Sequence, residues 1–292
     1  MQEKLSSALG PKVFDTERAR RHYLDVQYGS LPEQKLDLYL PEGSDGPFPL
    51  IIYVHGGGWI LGTKRECALD VIFDSIKSGW AIMAPDYRLA PGALFPEFIY
   101  DIKTAVRFAR ANAEKYHLDP NKFVMVGDSA GGHIVLTVGF TIDRPEYEGE
   151  KYGWPGVSSA VHAVVDMYGL TDLAADDQAW CEASGLKRID FAPKGHDIYE
   201  YVFGTANLEL RKLISPVSLV HKDIPPVLIQ HGYADTIVPY QHSTELAERI
   251  AKVCGEDRYQ LVLYPGRGHA DPAFSTPENC REFLEFVNRV LP

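Results

Sequence analysis

Ser129 stands in Gly127-Asp128-Ser129-Ala130-Gly131, a G-x-S-x-G pentapeptide whose surroundings make it a candidate nucleophile. The run Lys122-Phe123-Val124-Met125-Val126 before it is rich in β-formers. Residues 130–140 after it are small and apolar enough to continue as a helix. A serine on a sharp turn between strand and helix takes an uncommon backbone conformation and pushes its hydroxyl outward, and only small residues fit beside it. The first amides of the helix then point at whatever the hydroxyl attacks.

A serine hydroxyl needs a base, and the base needs an orienting acid. Of the ten histidines, His269 lies in Pro265-Gly266-Arg267-Gly268-His269-Ala270, a glycine-rich loop just after the last strand-like run, free to reach across to Ser129. The others have blander readings: His55 braces its own glycine loop, His133 packs or points away, His231 is structural at a strand end, and His242 lies on the surface at a helix start. The acid should fall between serine and histidine in the chain. Asp235, immediately after the run Val227–Gln230, is favoured because its loop faces that of His269 in the expected strand order. Its rivals are Asp166, expected inside a strand or supporting a turn, Asp271, too near His269 in sequence, and Asp128, expected to be a structural hydrogen-bonding residue. Upstream, His55-Gly56-Gly57-Gly58-Trp59 follows the apolar run 49–54. Its bare amides suit an oxyanion hole: Gly57 and Gly58, with Ala130, would surround a carbonyl oxygen attacked by Ser129. A phosphate loop is the competing reading, but no Lys-Ser/Thr follows. Trp59, Tyr168, Tyr233 and Val238 are candidate substrate-pocket walls, and ordinary core packing explains any one of them equally well.

The elements that must position these residues are legible as patterns. Residues 22–28 and 34–40, with Leu36, Leu38 and Leu40 on one face, read as an antiparallel hairpin at a sheet edge. Continuous apolar runs at 49–54, 81–85, 123–126, 163–165, 227–229 and 259–264 read as strands buried on both faces. Between most of them lie helical stripes, at 98–116, 240–254 and 276–290, the last with Thr276 as N-cap and Pro277 in the first turn. The class is α/β: a mostly parallel central sheet with helices on both faces and the ligand site beyond the carboxyl ends of the strands. One domain, 1–292, is expected, with an N-terminal arm over 1–21. A lid-like insertion is expected over 171–215, carrying Trp180, Phe191, Tyr199, Tyr201 and Phe203 and a helix around 197–203.

Composition narrows the partners. The chain has 292 residues, 45% hydrophobic, with a net charge of −11. Without a Lys/Arg cluster, nucleic acid is not an expected partner. The four cysteines, Cys67, Cys181, Cys254 and Cys280, are scattered with no metal-ligand spacing, as expected of reduced and mostly buried thiols in a cytoplasmic protein. No run approaches the roughly 18 apolar residues of a membrane span. Neither a metal nor a cofactor is expected, and the oligomeric state is open.

Six landmarks recur in order over about residues 35–290: His55-Gly56-Gly57-Gly58-Trp59, Asp86-Tyr87-Arg88-Leu89-Ala90-Pro91, Phe95-Pro96, Gly127-Asp128-Ser129-Ala130-Gly131-Gly132, His231-Gly232…Asp235…Val238-Pro239 and Gly268-His269. Together they resemble an α/β-hydrolase of the hormone-sensitive-lipase-like esterase group. The resemblance implies Ser129, Asp235 and His269 as the triad and Gly57, Gly58 and Ala130 as oxyanion donors. Leu36-Asp37-Leu38-Tyr39-Leu40-Pro41, Asp166-Met167-Tyr168-Gly169 and Ser215-Pro216 before Pro225-Pro226 are similar to a bacterial branch of acetyl- and feruloyl-carbohydrate esterases. The N-terminal arm is short for a full lipase-type cap, which argues against long-chain lipase activity. The expected function is a serine carboxylesterase for short-chain or aryl esters. An amidase or peptidase on the same triad, and a non-catalytic binding protein on this fold, are the alternatives.

Overall fold

The apolar runs pair into one eight-stranded sheet in the order β1-β2-β4-β3-β5-β6-β7-β8. The strands are β1 (Arg21–Gln27), β2 (Lys35–Leu40), β3 (Phe48–Val54), β4 (Ala81–Pro85), β5 (Leu118–Asp128), β6 (Ala163–Met167), β7 (Val227–Gly232) and β8 (Tyr259–Tyr264). The computed structural model describes residues 13–66, 68–190 and 192–291. The first twelve residues of the expected arm, Cys67 and Phe191 lie outside the described residues. β2 pairs antiparallel with β1 and β4; every other pairing is parallel. This is the architecture of an α/β-hydrolase.

Burial on both faces explains why the central strands lack alternation. Leu50 and Ile52 of β3 face one core with Met125 and Ile229, joined by Ile102 and Val106 of α2 (Glu97–Ala111), Ile134 of α3 (Ala130–Phe140) and Ile250 of α9 (Gln241–Cys254). Ile51 and Tyr53 face the other, with Val124, Val126, Ile72 of α1 (Leu69–Phe73) and Phe283 and Val287 of α10 (Pro277–Val290). Each such side chain contributes about 1.5–3 kcal/mol. The second face of β2 is covered too: Asp37 is buried, where it accepts the Arg65 Nε–H at 2.6 Å and the Asp25 N–H at 2.7 Å. The helix expected over 98–116 ends at Ala111, and a turn with His117 at φ 56° leads into β5. The Thr276 hydroxyl caps α10 as expected.

After β6 and a short α4 (Pro145–Glu148) before it, the chain departs from strand–helix alternation. The stretch expected as a lid forms α5 (Asp177–Ala183), α6 (Ile198–Phe203) and α7 (Leu208–Ile214), followed by α8 (Pro216–Leu219). Asp176, Asp197 and Asn207 each accept an N–H of the following turn, so all three short helices start on a capping side chain. Among the described residues no helix is long and apolar enough to cross a membrane.

Strand order sets the location of the site. The chain leaves β3 for β4 on one side and later enters β5 on the other. The carboxyl ends of the neighbouring strands β3 and β5 are therefore the point at which the strand order reverses, where ligands of such sheets sit.

Candidate active site

The loop after β3 and the turn after β5 are pressed together. A Cβ on Gly131 would drive into the Val54 carbonyl oxygen, so only glycine lets the first turn of α3 lie against the end of β3. Ser129, between β5 and α3, sits at φ 53° and ψ −119°, a conformation strained for a residue with a side chain. Its N–H donates to the Met167 carbonyl at 2.8 Å, which fixes the turn against β6.

Opposite it, the chain runs through positive φ at Gly57 (99°), Gly58 (60°) and Trp59 (61°). The Gly57 carbonyl accepts the N–H of Ile60 and Leu61, at 3.2 and 3.0 Å, closing the loop on itself. Tyr87 Oη donates to the carbonyls of His55 and Gly56, at 3.0 and 3.2 Å, and its ring stacks on His55 at 4.4 Å. His55 thus braces the loop, and burial pushes its imidazole down to about 4. No backbone carbonyl among the described residues takes the N–H of Gly57 or Gly58. Ala130 heads α3 and has no preceding helical turn to donate to. The Asp128 carboxylate accepts from Tyr53 Oη at 2.7 Å; burial pushes it up to about 6.

The loops after β7 and β8 are joined as closely. Gly232 admits no Cβ because the Arg267 carbonyl occupies that space. The N–H of Ala234 donates to the same carbonyl at 2.8 Å, and that of Tyr233 to Tyr264 O at 3.1 Å. Asp235 therefore arrives beside His269. Asp235 Oδ2 is 2.7 Å from His269 Nδ1, and His269 Nε2 is 2.9 Å from Ser129 Oγ, linking residues 140 positions apart. Asp235 Oδ1 accepts the N–H groups of Ile237 and Val238, both at 2.9 Å. Burial opposes ionisation of this enclosed carboxyl. The charge of His269 and hydrogen bonds from His231 and His269 outweigh it and hold Asp235 well below the usual carboxylate range. An ionised Asp235 only accepts, so the proton of a neutral His269 lies on Nδ1 and the Nε2 lone pair faces the serine hydroxyl.

The rivals of Asp235 have other partners. Asp166 Oδ1 accepts the Gly169 N–H at 3.0 Å, Oδ2 has no partner, and burial pushes the group up to about 8. Asp271 accepts the Ala273 N–H at 2.9 Å and caps a short turn. Among the expected pocket walls, Trp59 and Val238 are fully enclosed and Tyr168 nearly so. Tyr168 meets the His269 ring edge-on at 4.9 Å. Tyr233 alone of the four presents a ring to solvent, beside Tyr240 at 4.9 Å.

Two histidines carry roles that local sequence does not reveal. His242, expected on the surface, is fully buried, 3.1 Å from Asp177 Oδ1 across 65 residues. His231 lies with Nε2 2.9 Å from Val238 O and 3.3 Å from Asp235 Oδ2, and Nδ1 2.7 Å from Ser243 Oγ. Among the described residues no cluster of three His, Cys, Asp or Glu is placed to hold a metal. A cleft of about 320 Å³ opens between α5, α6 and α7, lined by Asp177, Arg188, Tyr199 and Arg211; Ser129 is not part of its wall.

The profile of the BD-FAE family matches residues 36–250. The chain belongs to the BD-FAE family. Esterase LipC of Mycobacterium tuberculosis is 33% identical over 266 residues, covering 89% of this chain and 62% of that protein. Isoprenylcysteine alpha-carbonyl methylesterase ICME of Arabidopsis thaliana is 27% identical over 266 residues, covering 90% of this chain. The chain thus spans 62% and 59% of the length of these two relatives. Among solved structures, a truncated carbohydrate esterase from gut microbiota superimposes with a TM-score of 0.81 at 27% identity, covering 96% of this chain and 99% of that one. The propionate-bound esterase Est2 of Thermogutta terrifontis gives 0.70 at 24% identity over 95% of this chain and 98% of that one. Membership of the BD-FAE family and the shared fold agree with the hormone-sensitive-lipase-like resemblance of the motifs.

Proposed function

We propose that this BD-FAE chain is a serine carboxylesterase acting on small esters with a short acyl group. The observation that carries the reading is His269, hydrogen-bonded to both Ser129 Oγ and Asp235 Oδ2 beside three open amides. Ser129 Oγ attacks the ester carbonyl carbon while its proton passes to His269 Nε2. The carbonyl π pair moves onto oxygen, held by the N–H groups of Gly57, Gly58 and Ala130. His269 returns the proton to the leaving alcohol as the C–O bond breaks, and Asp235 stabilises the imidazolium. Water, deprotonated by His269, then releases the acid and frees Ser129. The chemistry requires no metal or cofactor.

The short-acyl part rests on an aromatic block behind the oxyanion loop. Trp59 meets the ring of His133 edge-on at 5.3 Å and that of Phe203 at 5.2 Å, fully enclosed. His133 itself lies one helical turn from Ser129, donating its N–H to Ser129 O at 3.1 Å. Rings therefore enclose Trp59, the residue after Gly58. Stretch 171–215 acts in this reading as a wall of the site. The similarity to a carbohydrate esterase supports a sugar as the alcohol of the natural ester. A cytoplasmic location is part of the proposal, supported by the free thiols Cys181, Cys254 and Cys280.

The test is hydrolysis of p-nitrophenyl acetate together with labelling by a fluorophosphonate. Wild type should do both, and Ser129→Ala should lose about 10⁴-fold or more in kcat and all labelling. A wild type that does neither would make this a binding protein. Methyl ferulate and acetylated xylan distinguish the sugar ester from a simple alkyl ester. Comparable turnover of an arylamide would move the reading to an amidase.

A further inference from the structure

The first turn of α9 carries Gln241, His242 and Ser243, and each side chain grips a different part of the molecule. Gln241 Nε2 donates to Ser184 Oγ at 2.9 Å and to Trp180 O at 3.3 Å, at the end of α5. His242 Nδ1 accepts the N–H groups of Thr171 and Asp172, both at 3.2 Å. Its Nε2–H therefore points at Asp177 Oδ1, 3.1 Å away at the start of α5. Asp177 is a hub in turn: its Oδ2 accepts from Tyr199 Oη of α6 at 3.0 Å and from Arg188 Nη2 at 3.2 Å. One helical turn thus holds the first part of the 171–215 stretch, from Thr171 to Ser184, and through Asp177 reaches Arg188 and Tyr199.

The next residue points the other way. The Val238 carbonyl can only accept, so His231 carries a proton on Nε2, and in the neutral ring its Nδ1 takes the hydroxyl proton of Ser243 at 2.7 Å. That Nε2–H also lies 3.3 Å from Asp235 Oδ2, the oxygen that receives His269. A second strap runs in parallel: the Ile189 N–H donates to Thr236 O at 2.7 Å, one residue beyond Asp235. His231, Asp235, His242 and Ser243 are all fully enclosed. Packing at that density transmits a shift of one side chain to the next rather than absorbing it.

We propose that docking of the 171–215 stretch through Asp177 and His242 sets the position of Asp235, with Ser243 and His231 as positioning residues between them. The proposal rests on the triad reading above. Asp235 Oδ1 is pinned by two amides, so its remaining freedom is the placement of Oδ2, shared between His269 and His231. A shift of the α9 turn moves Ser243, then His231, then that oxygen. Misplacement of a reacting group by about 1 Å costs about a hundredfold in rate.

A double-mutant cycle with Asp177→Asn and Ser243→Ala tests this, read as kcat and KM for p-nitrophenyl acetate, with thermal melting to establish that each variant is folded. The acetate is too small to need a wall at 171–215, so loss of a wall alone would leave its kcat unchanged. Each single variant is expected to lower kcat about tenfold or more with KM within about twofold. The double variant should be no worse than the weaker single, because both cuts break the same chain. Unchanged kcat in Asp177→Asn, or losses that multiply independently, would overturn the coupling while leaving the esterase reading intact. Absence of wild-type hydrolysis would instead remove the esterase reading. If Asp177→Asn fails to fold, His242→Phe, which removes the donor toward Asp177 and keeps a ring against Trp180, takes its place in the cycle under the same criteria.

Discussion

His133 is enclosed by Trp59, Phe98 and Phe203, and neither of its ring nitrogens has a hydrogen-bond partner. Burial pushes its imidazole down to about 3. The folded ring stays neutral to that pH, whereas the unfolded chain takes up a proton below about 6.5. The stability this residue supplies is therefore present above about pH 6.5 and is lost as the pH falls. Between pH 7 and pH 5 wild type should lose about 2 kcal/mol on this account alone. His133→Leu puts an apolar side chain of similar size there and titrates nothing, so from pH 7 to pH 5 its stability should shift by about 2 kcal/mol in its favour relative to wild type; parallel curves for the two proteins would refute the argument. The same scale shows what a sequence can and cannot convey. The clustering of Ser129, Asp235 and His269 was readable because each follows an apolar run, with glycines flanking Ser129 and His269. His242 and Asp177 were not, because a polar residue at a helix start looks solvent-facing until a partner 65 residues away arrives.

At the level of elements, strands β3 to β7 were legible because burial on both faces leaves continuous apolar runs, and α9 and α10 because each buries one stripe. Helices α5 to α7 were barely legible. They are short, they begin on local caps, and α7 inverts the usual pattern: Leu208, Leu210 and Leu213 are exposed while Arg211 is buried with its guanidinium 4.5 Å from the Tyr199 ring. The functional consequence of α6 is concentrated in Phe203, which leans on Trp59, Phe95 and His133. Phe203→Ala should open space behind the oxyanion loop. Across p-nitrophenyl esters from acetate to laurate, wild type should decline beyond butyrate. The variant's optimum should move to longer chains, with the octanoate-to-acetate ratio rising about tenfold, as expected for a few methylenes newly accommodated. An unaltered ratio would mean that acyl groups bind elsewhere.

For the molecule as a whole, buried titratable groups oppose one another. His55 and His133, held neutral, and Asp235, held ionised, weaken the fold as pH falls. Asp128 and Asp166, raised to about 6 and about 8, act in the other direction: their share is full below about pH 4 and is lost as pH rises through those values. Stability should therefore be flattest between about pH 4 and 6.5, fall steeply below, and decline gently toward pH 8, where Asp166 alone of these groups still titrates. Asp166→Asn keeps the acceptor for Gly169 and removes the ionisation. Its melting temperature should hold level between pH 6.5 and 8.5 where wild type declines, and a decline of equal slope would assign the effect to another group.

The contact of Gly232 with Arg267 joins the loops after β7 and β8 into one cartridge, and that of Gly131 with Val54 joins the ends of β3 and β5 into another. In the proposed esterase the nucleophile and oxyanion amides follow β3 and β5, the acid and base follow β7 and β8, and the halves abut along the parallel ladder from Val164–Val227 to Met167–Gln230. A nick at the exposed Gly185 would sever neither half internally. The reacting groups would then be supplied by two polypeptides held by one strand pairing and the cores on either side of it, so hydrolysis would become a reporter of reassembly, with a rate that depends on concentration once the pieces are diluted apart.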